Sequence, residues 1–342
     1  MIKCVVWDLD NTLWQGIISE ELSVELRPGI KDFLQLINDK GIIQSIASRN
    51  DREPVMEKLK QFSVDDYFIL PQISWDNKAV SIKKIMNRFK IKSNNVLFID
   101  DNQFERDQIK AHFPEIMIED GSDLSKLLIL IEQNDNYGSE EASERIQYYK
   151  TEELRLSDKE HFHGTELDFM ISCRIKVEIL HATIEDLDRV KELIDRTNQM
   201  NATGIRFTRE EIVEMINSTD NEVYISIVND KYGSYGRSGL LIIDKSSQRR
   251  EYEIVQLIVS CRLMGKGIAQ ALLHYACQKA REGHYSELSC RFIRNQYNRQ
   301  MILLFTSNNL VTRNYDKNTF LFNYSLNLLQ STVNLPEWIT LN

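Results

Sequence analysis

The sequence lacks several features that mark particular protein classes. Its five cysteines show no Cys-x-x-Cys spacing, which argues against a disulfide framework and a zinc site. No apolar stretch approaches the roughly 20 residues that a membrane-spanning helix needs. The chain does not open with a basic segment followed by an apolar one. We therefore expect a cytoplasmic protein with no membrane partner.

Positive charge is also scarce. The 342 residues include 42 Lys and Arg against 51 Asp and Glu, for a net charge of −9. Because nucleic-acid backbones are bound through clustered basic side chains, this balance argues against a nucleic-acid partner. A hydrophobic content of 42% is ordinary for a globular protein, and the length favours two domains.

Strand-like runs alternate with helical patterns in the first third of the chain. The strand-like runs are residues 3–9, 42–47, 67–70 and 96–99, and the helical patterns are 28–40, 53–62 and 80–89. This alternation predicts an α/β domain at 1–120, with a parallel sheet and helices on both faces. Charged helix formers at 121–170 predict a helical connector. A second α/β pattern occupies 171–330, and 331–342 form a C-terminal tail.

Two carboxylates follow the first strand-like run, in the sequence Asp8-Leu-Asp10-Asn-Thr12. At a strand end, one carboxylate can attack phosphorus while the other protonates the leaving oxygen and later activates water. The motif therefore predicts phosphoryl transfer with Asp8 as the nucleophile and Asp10 as the acid/base.

Polar residues at later strand ends complete this chemistry. A carboxylate that attacks a phosphate needs a hard divalent cation with oxygen ligands, which predicts bound Mg²⁺. Hydroxyl and ammonium groups can hold the phosphate oxygens. The predicted metal ligands are Asp8, Asp10, Asp100 and Asp101, and the predicted phosphate-binding residues are Thr12, Ser48 and Lys78.

Four elements, taken in sequence order, resemble the motifs of the haloacid dehalogenase superfamily. They are Asp8-x-Asp10-x-Thr12, Ser48, Lys78 and the pair Asp100-Asp101. The resemblance implies a Rossmann-like parallel sheet and magnesium-dependent phosphatase chemistry. The segment between Trp14 and Pro28 is too short for a large cap domain, so we expect a minimal cap over the site.

A glycine-containing motif, Arg262-x-x-Gly265-x-Gly267, lies between a predicted strand and a predicted helix. Glycines let backbone N–H groups approach a phosphate, and a helix N-terminus favours negative charge. The motif resembles the one with which GNAT acyltransferases bind the phosphopantetheine and pyrophosphate of coenzyme A. The resemblance implies a GNAT-like α/β fold and phosphopantetheine binding by Arg262, Gly265 and Gly267.

Over nearly its whole length the chain is similar to the FkbH-like proteins, which join a phosphatase-like domain to a GNAT-like domain. The matching stretches are residues 7–14, 48–51, 98–102, 197–201 and 260–262. The similarity implies a glyceryl transferase and phosphatase of polyketide-type biosynthesis. Such an enzyme takes 1,3-bisphosphoglycerate, removes phosphate, and loads the glyceryl group through a thioester onto the phosphopantetheine arm of an acyl carrier protein.

Cys261 is the predicted acyl-carrying nucleophile, because the positive charge of Arg262 beside it favours the thiolate form. Cys173 and Cys290 also lie in Ser-Cys-Arg triplets, so the triplet does not decide among them. Asn198 and Gln199 are predicted to bind glyceryl hydroxyls or an oxyanion, with helix capping as the alternative.

Two other functions remain open on the sequence. The first is a magnesium-dependent phosphatase whose second domain only binds a partner. The second is a phosphatase fused to an N-acetyltransferase.

Overall fold

The computed structural model describes residues 2–20, 24–89, 91–134, 140–245 and 252–342, with side chains from residue 146 onward in the helix that begins at Glu140. The chain divides into two compact units, Met1–Glu160 and His161–Asn342. In the described part of the chain, no helix combines the length and apolar character that a membrane crossing requires.

The first unit contains a five-stranded sheet in which every strand is parallel to its neighbours. Its elements in chain order are β1 (Cys4–Trp7), β2 (Trp14–Gln15), β3 (Glu25–Leu26), α1 (Ile30–Asp39), β4 (Ile43–Ser48), α2 (Arg52–Gln61), β5 (Gln72–Ile73), α3 (Lys78–Phe89), β6 (Val96–Asp100), α4 (Gln103–His112), β7 (Met117–Asp120), α5 (Leu124–Glu132) and α6 (Glu140–Glu160). The strand order is β5-β4-β1-β6-β7, and β2 pairs with β3 in a separate two-stranded ribbon. This ribbon lies in the short segment between Trp14 and Pro28, where we expected a minimal cap.

Side chains of the central strand alternate between two apolar cores. Val5 and Trp7 of β1 belong to a cluster that includes residues of α1, α2 and α5. Cys4 and Val6 belong to a second cluster that includes residues of α3 and α4. Since successive residues of a strand point to opposite faces, the two clusters cover the two faces of the sheet. The prediction of a parallel sheet with helices on both faces is confirmed.

Two sequence expectations need correction in this unit. Residues 67–70 do not form a strand, because Asp65–Tyr67 is a 3-10 turn and Leu70 has a positive φ of 56° that interrupts extended backbone. The edge strand is β5, two residues further on. Part of the segment predicted as a connector also packs within the unit, since Leu127 and Ile131 of α5 join the first core cluster.

The second unit contains an eight-stranded mixed sheet. Its elements are α7 (Glu166–Ser172), β8 (Ile175–His181), α8 (Leu187–Arg196), α9 (Arg209–Asn217), β9 (Asn221–Asp230), β10 (Gly233–Asp244), β11 (Tyr252–Val259), α10 (Ile268–Glu282), β12 (Glu287–Ile293), α11 (Arg299–Ser307), β13 (Val311–Asp316), β14 (Leu321–Asn327) and β15 (Ile339–Leu341). The order is β13-β14-β12-β11-β10-β9-β8-β15. Helices α8 and α9 share an apolar cluster with β9, β10 and β11.

Strands β11 and β12 are parallel but separate toward their carboxyl ends. They pair at the start of each strand, from Tyr252 with Leu288 to Ile254 with Cys290. Beyond that point Ala202 lies between them: its N–H donates to Leu257 O at 3.0 Å, and its carbonyl accepts from Ile293 N at 3.0 Å. The loop after α8 therefore fills the gap between the two strands.

Candidate active site

Three carboxylates and one ammonium group lie together at the carboxyl edge of the first sheet. Asp8 follows β1, Asp100 ends β6, and Asp101 comes next. Lys78, the first residue of α3, places its Nζ 2.8 Å from Asp8 Oδ1 and 2.7 Å from Asp100 Oδ2. Because β1 and β6 are neighbouring parallel strands, their carboxyl ends bring these residues together.

Thr12 joins the loop after β1 to the loop after β6. Its Oγ1 accepts a hydrogen bond from the Asp101 backbone N–H at 2.9 Å and donates to Asp101 Oδ1 at 3.1 Å. The chain reaches this position through a tight turn, in which Asn11 has a φ of 55° and Leu13 N donates to Leu9 O at 2.8 Å. The Thr12 hydroxyl, predicted to bind phosphate, is fully buried and positions Asp101.

Asp10 lies at the same sheet edge, but its carboxylate is held by different partners. Trp14 Nε1 and the Ile18 backbone N–H donate to Oδ1 at 2.8 and 3.1 Å, and Asn50 Nδ2 donates to Oδ2 at 2.9 Å. Among the described residues, the carboxylate cluster suited to a metal contains the other three predicted aspartates and not Asp10. Three N–H donors therefore fix the orientation of the Asp10 carboxylate.

A cavity of about 200 Å³ is lined by both Asp8 and Asp10, together with Ser48. Ser48 Oγ accepts from Asn50 Nδ2 at 3.3 Å, so one amide contacts both Ser48 and Asp10. Sequence reasoning missed Asn50, although it lies in the Ser-Arg-Asn-Asp stretch that follows β4.

Arg49 and Glu105 form another part of the cavity wall that sequence reasoning missed. Arg49 Nη1 lies 3.1 Å from Glu105 Oε1. In the described part of the chain, Arg49 Nε and Glu105 Oε2 are buried without a hydrogen-bond partner. Nothing in the sequence around Glu105 marks it, because it reaches the site from the first turn of α4.

Burial governs the protonation of this cluster. It raises the pKa of Asp8 to about 7, an effect that Lys78 partly offsets and the Asp100 carboxylate increases. Burial also raises the pKa of Asp100 in spite of the Lys78 charge. For Lys78 itself, burial lowers the pKa, but the attraction of the two carboxylates outweighs it and the net direction is upward.

The carboxylates fit a hard divalent cation. One oxygen from each of Asp8, Asp100 and Asp101 lies within 4.8 Å of the others. Carboxylate oxygens are the ligands that Mg²⁺ prefers, and Lys78 engages Asp8 and Asp100 without taking up every carboxylate oxygen. When bound, Mg²⁺ supplies positive charge against a phosphoryl group.

Replacing Lys78 with Met is expected to lower the free energy of unfolding of the metal-free protein by about 3 kcal/mol at pH 8, because two buried carboxylates lose their counter-charge. At pH 5.5 the loss should be smaller, since protonated carboxyl groups need no counter-charge. Urea denaturation of both proteins at the two pH values measures this difference. An equal loss at both pH values would contradict the proposed charge compensation.

Magnesium binding is expected to weaken as the pH falls below 7. Asp8, whose pKa burial raises to about 7, must be ionised to act as a ligand. Below that pH, each unit should weaken the apparent affinity about tenfold, because one proton competes with the cation. Calorimetric titration with MgCl₂ between pH 5.5 and 8.5 measures the slope. A flat profile across this range would show that Asp8 is not a titrating ligand.

The glycine motif of the second unit forms the loop between β11 and α10. Gly265 and Gly267 have φ values of 81° and 83°, which disfavour any other residue type. A Cβ at Gly267 would lie 3.1 Å from Pro336 Cγ and 3.2 Å from Trp338 Cζ2. Trp338 Nε1 also donates to Lys266 O at 3.0 Å. The predicted tail therefore packs against this loop and helps to shape it.

This loop borders a cavity of about 560 Å³, lined in part by Gly265, Gly267 and Trp338. The first N–H groups of α10 follow Gly267 directly and have no partners within their own helix. A helix N-terminus of this kind favours an anion, so the arrangement is suited to a phosphate group.

Cys261 begins a 3-10 turn, Cys261–Leu263, between β11 and the glycine loop. It is partly exposed and lines a separate cavity of about 180 Å³ together with Arg262. The other four cysteines are buried, including both members of the alternative Ser-Cys-Arg triplets, Cys173 and Cys290. Burial raises the pKa of the Cys290 thiol and raises that of Cys277 to about 11, so neither favours a thiolate.

The structure places Asn198 and Gln199 on an exposed turn after α8. Asn198 Oδ1 accepts a hydrogen bond from Arg206 Nη2 at 2.8 Å. Within the described residues, neither side chain lines the 180 Å³ cavity beside Cys261 or the 560 Å³ cavity beside the glycine loop. The neighbouring Asn201 is buried and accepts from Gly204 N at 2.8 Å. Asn201 therefore holds the loop that fills the gap between β11 and β12.

The geometry of the first unit agrees with a sequence-family comparison. Residues 11–116 match the family described as haloacid dehalogenase-like hydrolase. This match covers less than half of the chain and says nothing about the second unit. No curated protein sequence matches the chain.

Several solved structures are similar to less than half of the chain each. The N-terminal part of a Bacteroides fragilis protein, containing a phosphatase domain complexed with Mg, has 23% identity and a TM-score of 0.35 and covers 40% of this chain and 42% of that one. Spermidine N-acetyltransferase from Vibrio cholerae, in complex with CoA and spermine, has 15% identity and a TM-score of 0.37 and covers 45% and 96%. PaiA N-acetyltransferase from Thermoplasma acidophilum, in complex with coenzyme A, has 15% identity and a TM-score of 0.35 and covers 44% and 98%.

The predicted α/β fold class is confirmed: the first unit has a parallel sheet and contains the haloacid dehalogenase-like match, and the second unit is an α/β unit with a mixed sheet. At these identities and TM-scores, the similarities to solved structures do not bear on activity.

Proposed function

We propose that the protein is a bifunctional glyceryl transferase and phosphatase. In this proposal the first unit hydrolyses the ester phosphate of 1,3-bisphosphoglycerate or of the glyceryl group derived from it. The second unit passes the glyceryl group through a Cys261 thioester to the phosphopantetheine thiol of an acyl carrier protein. The proposed setting is polyketide-type biosynthesis in the cytoplasm.

The observation that carries the phosphatase half is the buried network of Asp8, Lys78 and Asp100 beside Asp10. Asp8 and Asp10 line the same 200 Å³ cavity, so a phosphoryl group there can meet both carboxylates. Lys78 holds Asp8 Oδ1 at 2.8 Å and limits its orientations. An arrangement in which nucleophile and acid/base share one small cavity supports hydrolysis at a phosphorus centre.

The chain's own residues account for both steps of that hydrolysis. Asp8 attacks phosphorus and forms an aspartyl phosphate, while Asp10 gives a proton to the leaving oxygen. Asp10 then removes a proton from the water that attacks the aspartyl phosphate, which restores both carboxyl groups. Asn50 contacts Asp10 and Ser48, and therefore links the proton-transfer group to a predicted phosphate-binding hydroxyl.

The transferase half is supported by the position of Cys261. Among the five cysteines, all of which lie in the described part of the chain, it is the one that is not buried. It leads directly into the loop of Gly265 and Gly267, where a helix N-terminus can bind the phosphate of a phosphopantetheine arm. A thiolate displaces an acyl phosphate without further activation, so no nucleotide is needed for loading.

The experiment supplies enzymatically generated 1,3-bisphosphoglycerate, MgCl₂ and 4′-phosphopantetheine as a minimal thiol acceptor. We expect glyceryl-phosphopantetheine thioester by mass spectrometry, together with released phosphate. Phosphate release without a thioester would reduce the protein to a phosphatase with a second unit of other function. Parallel reactions with acetyl-CoA and an amine test the alternative, and acetyl transfer there without glyceryl transfer would favour the N-acetyltransferase.

A further inference from the structure

The cavity beside Cys261 has an unusual concentration of positive charge for so acidic a chain. Its volume is about 180 Å³, and its lining includes Arg189, Arg196 and Arg262. Glu192 is the carboxylate among the described lining residues. Three arginines and one glutamate thus line this cavity, in a protein whose net charge is −9.

Helix α8 presents two of these arginines from one face. Arg189, Glu192 and Arg196 are spaced three and four residues apart, which places them in one row along the helix. Glu192 Oε1 accepts from Arg196 Nη1 at 2.6 Å, and Glu192 Oε2 accepts from Arg189 Nη1. Arg189 Nε also donates to Arg237 O at 2.8 Å. Glu192 therefore orients both guanidinium groups while neutralising one of them.

The thiol and the third arginine come from the other wall of the cavity. Cys261 and Arg262 are adjacent in the turn after β11, and both are partly exposed. Guanidinium groups bind phosphate through paired charge-assisted hydrogen bonds. A thiol and three arginines in one small cavity match a ligand whose reactive carbonyl is bonded to a phosphate.

We propose that Arg189, Arg196 and Arg262 form the site for the phosphoryl leaving group of an acyl-phosphate donor to Cys261. This inference rests on the proposed function and adds the residues that select the donor class. The Cys261 Sγ forms a bond to the acyl carbon, and the bond from that carbon to the phosphoryl oxygen breaks. The oxygen leaves with the electron pair as inorganic phosphate, and the thiol proton passes to solvent.

This site distinguishes acyl phosphates from acyl thioesters. A thioester donor leaves as a thiolate, whose single sulfur offers the three guanidinium groups no phosphoryl oxygens for paired hydrogen bonds. With an acyl phosphate, the same groups bind the donor and stabilise the charge on the departing oxygen.

The test uses inorganic phosphate as the probe, with the alkylation of Cys261 by neutral iodoacetamide as the readout. Phosphate should slow alkylation of the wild-type protein relative to chloride at equal ionic strength. Arg196→Gln should raise the phosphate concentration needed for half-protection by about tenfold, because it removes roughly one charge-assisted contact to the phosphate. Arg196→Lys should retain part of the protection. Peptide mass spectrometry assigns the alkylated cysteine.

Arg209→Gln is the matched control, because it removes the same charge from a side chain that is 53% exposed and pairs with Asp188. It should leave protection unchanged. Equal protection in Arg196→Gln and wild type, or no protection in wild type, would overturn the anion site.

Thioester formation from 1,3-bisphosphoglycerate is measured separately. Protection by phosphate without a thioester would keep the anion site and reject the proposed function. A thioester without protection would keep the proposed function and overturn the anion site.

Discussion

Asp8→Asn is expected to reduce magnesium-dependent phosphate release on the order of 10³-fold or more, since the amide cannot act as the nucleophile. The substitution keeps the size of the side chain, so the fold should persist. It also removes one of the two carboxylates that Lys78 bridges. The measurement is steady-state phosphate release with an aryl phosphate, which offers Cys261 no acyl group, at saturating MgCl₂ and pH 8.

Asp66→Asn provides the control for this experiment, because Asp66 is an exposed residue of a turn in the same unit. It should release phosphate at the wild-type rate. Circular dichroism and urea denaturation check that both variants are folded. If folded Asp8→Asn retains more than about a tenth of the activity, a nucleophile other than Asp8 must carry the reaction.

Cys261→Ala is expected to abolish the covalent glyceryl adduct while leaving phosphate release by the first unit intact. The adduct requires a thiolate that substrate can reach, and Cys261 is the partly exposed cysteine. Intact-protein mass spectrometry after incubation with 1,3-bisphosphoglycerate and MgCl₂ detects the adduct. Hydroxylamine should release it from the wild-type protein, as expected for a thioester.

Cys173→Ala is the matched control, because Cys173 also lies in a Ser-Cys-Arg triplet but is 2% exposed. It should carry the adduct at the wild-type level. An adduct on Cys261→Ala would move the thioester to another residue. Loss of the adduct in both variants would indicate a general effect on the second unit, which denaturation of each variant would reveal.

The phosphatase site could be predicted in large part from the sequence because of the geometry of parallel sheets. Asp8 and Asp100 each mark the end of a strand, and neighbouring parallel strands end at one edge. Lys78 could be added because it begins a helix that leads away from the same edge. These residues lie at the ends of strands or at the start of a helix, and such boundaries can be recognised from the local sequence pattern.

Other parts of the site depend on long-range packing that no local pattern displays. Glu105 reaches Arg49 from a helix that follows a different strand. Trp338 contacts the carbonyl of Lys266 across 72 positions of sequence. Ala202 bonds to both β11 and β12, although it lies in a loop that precedes both strands. In each case the contact follows from how elements pack, and the residue looks ordinary in its own segment.

Residues 67–70, which we predicted as a strand, show that secondary structure also depends on long-range packing. Residues 67–70 are apolar and aromatic, which favours a strand by composition. In the fold, Phe68 makes one bridge to Gln44, and the side chains of Phe68 and Ile69 are used for packing. The burial of these side chains explains the apolar composition of the segment, although the segment does not form a continuous series of strand hydrogen bonds.

The measurement that tests the central claim most directly is chemical trapping of the aspartyl phosphate. Wild-type protein is mixed with 1,3-bisphosphoglycerate and MgCl₂, quenched within the first turnover, and reduced with borohydride, which converts an aspartyl phosphate to homoserine. Peptide mass spectrometry should find homoserine at position 8 of the wild-type protein. Homoserine at another position, with none at position 8, would contradict Asp8 as the nucleophile.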